Sequence, residues 1–171
     1  TTHIAFDEAT AILAGDALQA LAFSILGEVD ARTDSMRVRQ LRLLGEAVGF
    51  RGMALGQAID LESEGKALSL DALKAMHAKK TGALITASVL MGAACGNPSD
   101  ADWDALTEAG QAIGLAFQIQ DDVLNLRGLY AKDSDTLKKG TELRTLGEDI
   151  TDGKVTMPVC KYMGMVGDEQ K

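Results

Sequence analysis

The stretch Phe117-Gln118-Ile119-Gln120-Asp121-Asp122-Val123-Leu124-Asn125 places two carboxylates inside an apolar segment that also holds Ile113, Leu115 and Leu126. On a helix, Gln118, Asp121, Asp122 and Asn125 fall at i, i+3, i+4 and i+7 and form one polar row. A carboxylate pair turned into a dry core is very costly, so the row faces water, cations or a cavity. Adjacent carboxylates are hard oxygen ligands, and Mg²⁺ typically takes one or two of them together with phosphate oxygens. The plainer alternative is a solvated face near the end of a helix, and the apolar surroundings weigh against it.

Outward from this stretch the chain reads as helical. Ser99 and Asp102 have capping-box spacing and open the helix that carries the row, which reaches about Leu126. Before it, a helix runs from about Ser69 to Ala94 and stops at Gly96-Asn97-Pro98. An earlier one runs from about Asp7 to Leu26, with Ala14, Leu18, Leu21 and Ile25 as its packed stripe. Another begins near Asp34 as N-cap and carries Leu41, Leu44 and Val48 inward. It continues past Gly49 and Gly52 to about Leu61, before a polar turn over Glu62 to Lys66 that contains Gly65. A last helix starts near Met157-Pro158, where a proline fits the first turn. Arg127 to Lys154 carries four glycines and many charges and reads as a long, partly ordered loop, of the kind that is usually functional or disordered.

Composition agrees with an all-α chain. The 171 residues suit a single domain, and 46% hydrophobic residues supply a sizeable core. Only two prolines interrupt helix formation. Lys+Arg 17 against Asp+Glu 25 gives a net charge of −8, which argues against a sequence-blind nucleic-acid binder. Such a chain holds phosphate only where a metal or a few cations bridge the repulsion. The two cysteines, Cys95 and Cys160, form no zinc or disulfide pattern, so a reduced, cytoplasmic setting is expected. The longest apolar stretch, Ala83 to Gly96, is too short to span a bilayer, so no membrane span is expected. The chain opens at Thr1 without an initiator Met, which points to a processed or incomplete chain.

Two further segments carry candidate chemistry. Lys79-Lys80-Thr81-Gly82 lies in the middle of the third helix, with His77, Lys80 and Leu84 on one face. From Gly82 onward the helix is apolar nearly all round, as buried helices are. Lys80 at its entrance either snorkels out or meets an anion. Thr81 and Gly82 together favour a kink that frees a carbonyl into a cavity. Arg144 to Lys154 offers two cations on a glycine-bearing loop that can close over a phosphate; the alternative is a solvated charge run. His3 and His77 are weak metal-ligand candidates, being isolated and outside any HExxH pattern.

The whole chain resembles the trans-type polyprenyl diphosphate synthases, most closely the bacterial short-chain farnesyl/geranyl diphosphate synthases. The resemblance rests on Ala11-Ile-Leu-Ala-Gly-Asp16-Ala-Leu, Gly56-Gln57-Ala-Ile-Asp60-Leu, Lys80-Thr81-Gly82, Phe117-Gln118-Ile-Gln-Asp121-Asp122 and Gly153-Lys154-Val-Thr156-Met-Pro158. Five motifs in order over nearly the whole chain make a specific match. The resemblance implies an all-α isoprenoid-synthase bundle around a central cavity, with two Asp-rich motifs facing each other across it. Residues 1–171 would then be one polyprenyl synthetase domain, incomplete at both ends. The first Asp-rich motif is expected before Thr1 and the final helices after Lys171, so the isolated chain is expected to be inactive.

The same resemblance implies the chemistry. Mg²⁺ binds the diphosphate of an allylic substrate, ionisation gives an allylic cation, and isopentenyl diphosphate attacks it head to tail. Asp121 would ligate Mg²⁺, with Asp122 in a ligand or supporting role and Asn125 at the position where the family usually has a third Asp. Lys80, Arg144 and Lys154 would hold the allylic diphosphate. Thr81, Gln118 and the carbonyl at the Lys80 kink would stabilise the cation. A homodimer packed through helices is also implied. Two competing readings are a non-catalytic helical subunit that binds or regulates a synthase partner, and a cyclase or head-to-head synthase on the same fold. The intact Lys80-Thr81, Gln118 and Asp121-Asp122 argue against the first. The sequence context of the motifs argues against the second.

Overall fold

The computed structural model describes residues 2–28, 33–66, 68–127, 149, 154 and 156–165. Among these, helices account for all the regular structure: α1 (Thr2–Ala5), α2 (Glu8–Glu28), α3 (Asp34–Val48), α4 (Met53–Glu62), α5 (Leu70–His77), a π-helical turn (Ala78–Gly82), α6 (Ala83–Ala93), α7 (Asp100–Arg127) and α8 (Met157–Met165).

Local sequence explains most of the boundaries. Ser69 caps α5, its hydroxyl accepting the Ala72 amide. Ser99 and Asp102 exchange bonds at the head of α7: the Asp102 amide donates to Ser99 Oγ at 3.2 Å, and the Ser99 amide donates to Asp102 Oδ2 at 3.2 Å. The Ser99 hydroxyl and amide hold the Asp102 carboxyl below its ordinary pKa. Gly65 takes a positive φ of 71° in the turn after α4, a conformation that glycine adopts without strain.

Two boundaries differ from the sequence reading. The cap of α3 is Thr33, whose Oγ1 accepts the Met36 amide at 3.2 Å; Asp34 is the first helical residue and pairs with Arg37 instead. The helix also does not run through to Leu61. It ends at Val48, and α4 starts anew at Met53. Gly52 is the reason: a Cβ there would stand 2.1 Å from the Ala47 carbonyl oxygen, a backbone path that no helix follows.

α5, the π turn and α6 form the central rod. α3 and α7 pack along α6, α4 packs on the π turn, and α8 packs on α5 and α7. The apolar centre joins Leu73 and Met76 of α5 to Met157 of α8, with Ile59, Leu115 and Cys160 around them. Close helix approach uses small residues: a Cβ on Gly114 of α7 would stand 2.6 Å from Gly82 Cα. Arg39 stacks over Trp103 at 3.7 Å from the ring centroid, tying α3 to α7.

α2 departs from expectation. Its Leu18, Leu21 and Ile25 are at least half exposed among the described residues, where the sequence reading put a packed stripe. α2 is apolar on all sides, so it has no single face to turn inward. By length and composition it is also apolar enough to cross a bilayer, with a mean hydropathy of 1.6, and Asp16 interrupts it. A core helix of a helical bundle has the same character.

Candidate active site

The site is built where α7 meets the π turn. A π turn inserts an extra residue into the helix ladder and often marks a functional position. Here it falls on Ala78–Gly82, where Thr81 and Gly82 led the sequence reading to a kink. Lys80 and Thr81 are both half-buried in it. α4 brackets this turn. A Cβ on Gly56 would stand 2.2 Å from the Lys80 amide nitrogen, so only glycine admits such an approach. One turn later Asp60 meets the lysine itself, with Nζ 2.6 Å from Oδ2. Lys80 therefore neither snorkels freely nor waits for an outside anion alone; it has an internal counter-charge.

The polar row of α7 points inward. Gln118, Asp122 and Asn125 are buried, Asn125 at 2% exposure, and Asp121 is half-buried. Asp122 Oδ2 accepts the backbone N–H of Met157 at 2.7 Å. The same oxygen lies 3.8 Å from Nε2 of buried His77. Neither ring nitrogen of His77, nor either amide atom of Asn125, nor the Thr156 hydroxyl has a hydrogen-bond partner among the described residues. The region is thus buried and polar.

Lys154 is half-buried, and its amide donates to the Asp149 carbonyl at 2.7 Å. Arg144 and most of the loop expected over Arg127 to Lys154 lie outside the described residues. Sequence reading gave no role to Asp60 and set His77 aside. The signal for Asp60 was available: a half-buried lysine requires a counter-charge, and Gly56 and Asp60 share a helix face at i and i+4.

The donors of the row are all oxygens or amide, a set that suits Mg²⁺. Among the described residues no three His, Cys, Asp or Glu side chains converge as a metal cage. Asp121 is half-buried, the least buried member of the row. Asp122 is engaged with Met157, and Asn125 is buried. A cavity of about 850 Å³ opens beside the same π turn, between α3, α5, α6 and α7, and is lined by Arg51, Lys79, Gly82, Thr86, Gln111 and Leu115. Lys79 and Gly82 line it, whereas Lys80, Thr81, Gln118, Asp121, Asp122, Asn125 and Lys154 do not.

The sequence profile described as polyprenyl synthetase matches residues 1–171. The chain is 42% identical over 174 aligned residues to the farnesyl diphosphate synthase of Haemophilus influenzae, covering 100% of this chain and 55% of that protein. Among solved structures, the geranylgeranyl pyrophosphate synthetase of Pyrococcus horikoshii superposes with a TM-score of 0.78 at 32% identity, over 99% of this chain and 48% of that one. The geranyltransferase of Helicobacter pylori, solved with magnesium and isoprenyl diphosphate, superposes with a TM-score of 0.69 at 30% identity, over 94% and 46%. The chain spans about half the length of the curated relatives it matches.

Proposed function

Since the chain belongs to the polyprenyl synthetase family, we propose that it supplies the second metal-binding half of a prenyltransferase. The reaction joins isopentenyl diphosphate to an allylic diphosphate, dimethylallyl or geranyl, to give a short-chain product such as farnesyl diphosphate. One observation supports this most directly: α7, the helix that carries Asp121, packs against the π turn that carries Lys80 and Thr81.

Mg²⁺ held at Asp121 would neutralise diphosphate charge and assist its departure. Asp122 and Asn125, on the same helix, would support Asp121. The ammonium of Lys80 has three donors. One serves Asp60, leaving two for phosphate oxygens, and Lys154 and Arg144 add further cations to the same diphosphate. Thr81, Gln118 and carbonyls loosened at the π turn present fixed dipoles to the developing allylic cation, where preorganisation accelerates ionisation. The double bond of isopentenyl diphosphate then attacks, and the proton it loses passes to the released diphosphate.

The exposed apolar residues of α2 fit helix-to-helix burial, in a homodimer or within a larger bundle, and the family match extends over α2. That favours a bundle helix over a membrane span. Two free cysteines suit the cytoplasm. A non-catalytic subunit would have no need of Lys80, Thr81 and Asp121 together, so that reading is the weaker one.

The test is product analysis of the full-length gene product with isopentenyl and geranyl diphosphates, with and without Mg²⁺. Mg²⁺-dependent formation of a chain-elongated diphosphate is expected. Release of a cyclic hydrocarbon, or no turnover at all, would overturn the reading.

A further inference from the structure

Among the described residues, no neighbouring side chain caps the start of α8. Thr156 stands immediately before its first residue, where a hydroxyl ordinarily accepts an amide of the first turn, yet its Oγ1 is buried and has no partner among the described residues. The first amide of the helix, at Met157, finds its acceptor on another helix. Asp122 Oδ2, on α7, accepts the Met157 amide at 2.7 Å. The carboxylate also lies at the positive end of α8, where negative charge is favoured. On its other side His77, at the end of α5, closes over the same oxygen at 3.8 Å. The carboxylate is 7% exposed, and burial without such compensation would be costly.

From this we infer that Asp122 is a positioning residue rather than a metal ligand: it clamps the start of α8 to the helix that carries Asp121. Lys154 lies two residues before Thr156 and Asp121 is the neighbour of Asp122. The clamp therefore sets the separation between the proposed metal ligand and a proposed diphosphate-binding cation. The inference rests on the function proposed above, in which Asp121 and Lys154 act on one diphosphate.

The experiment compares Asp122→Asn, Asp122→Ala and Asp121→Asn in the full-length gene product. The readouts are amide exchange at Met157 without metal, the Mg²⁺ concentration for half-maximal turnover, and the KM for geranyl diphosphate. Asn keeps a carbonyl acceptor, so Asp122→Asn is expected to keep Met157 protected and the Mg²⁺ midpoint within about threefold of the parent. Asp122→Ala is expected to speed Met157 exchange at least about tenfold and raise the allylic KM, with the Mg²⁺ midpoint again little moved. Asp121→Asn is expected to move that midpoint by more than about tenfold while Met157 stays protected.

An Asp122→Asn midpoint displaced as far as that of Asp121→Asn would overturn the inference, as would unaltered Met157 exchange in Asp122→Ala. Should the alanine variant fail to fold, loss of Met157 protection in Asp122→Asn overturns it and retention supports it. An unmoved midpoint in Asp121→Asn would count against the proposed function instead, and Met157 exchange would still decide the role of Asp122.

Discussion

The ammonium of Lys80 lies 2.6 Å from Asp60 Oδ2, and the π turn that carries this lysine rests on Gly56, one helical turn before Asp60. Two features of α4 thus act on one residue: an absent Cβ lets the backbone approach, and a carboxylate fixes the side chain. The pair is partly buried, with side-chain exposures of 32% and 15%, so it is worth more than a surface pair and avoids the desolvation cost of a fully buried one.

Asp60→Ala leaves Lys80 without its counter-charge and frees its stem. A loss of about 1–2 kcal/mol in stability is expected from denaturant melts. A rise of about tenfold in the KM for the allylic diphosphate is expected from steady-state rates. An unchanged KM would reduce the pair to a structural contact.

Gly56→Ala inserts a Cβ 2.2 Å from the Lys80 nitrogen and 2.5 Å from its Cα. Both are backbone atoms and cannot swing aside, so a loss of roughly 3 kcal/mol or more is expected. Gly92→Ala, on α6 with nothing within 4 Å of the added Cβ, is expected to gain about 0.5–1 kcal/mol. Equal melting temperatures for the two variants would refute this account of α4 packing.

Asp121→Ala in the full-length gene product is expected to lower Mg²⁺-dependent turnover by at least about a hundredfold without changing the far-ultraviolet helical spectrum. Full turnover in a folded variant would remove the metal role proposed for Asp121.

The head of α7 carries a pH-dependent contribution. Bonds from Ser99 hold the Asp102 carboxyl below its ordinary value of 3.8. A lowered folded-state pKa means that the charged form is favoured in the fold. The contribution is therefore complete above the unfolded value near 3.8 and is lost as pH falls through the lower folded value. Carboxyl titration by NMR should place Asp102 below 3.8 in the parent and return it toward 3.8 in Ser99→Ala.

Residues 1–171 expressed alone present Leu13 at 67%, Leu18 at 66% and Ile12 at 65% exposure along α2. Contiguous apolar area of this kind drives association. Light scattering should find dimers or larger species. A monodisperse monomer at micromolar concentration would contradict the helix-to-helix burial proposed for α2.

The helices were legible because their information is local. Ser69, Ser99 and Asp102 satisfy amides within three residues of themselves, and helix-favouring residues fill whole segments. The break at Gly49–Gly52 was not legible. Glycine alone permits many paths, and the one taken depends on where the Ala47 carbonyl points. The kink at Thr81-Gly82 was readable as a weakness in the helix, but its π geometry and its rest on Gly56 were not.

By itself the sequence determined the all-α class, the single row of Gln118, Asp121, Asp122 and Asn125, and the family to which the chain belongs. These follow from spacing along one helix and from motif order, which need no distant contact. Only tertiary structure divided that row. It left Asp121 half-buried, turned Asp122 to the Met157 amide 35 residues away, and buried Asn125. It also gave Lys80 its partner in Asp60, 20 residues earlier. Such choices depend on which helix faces meet in space, because a carboxylate takes whichever donor the packing brings to it.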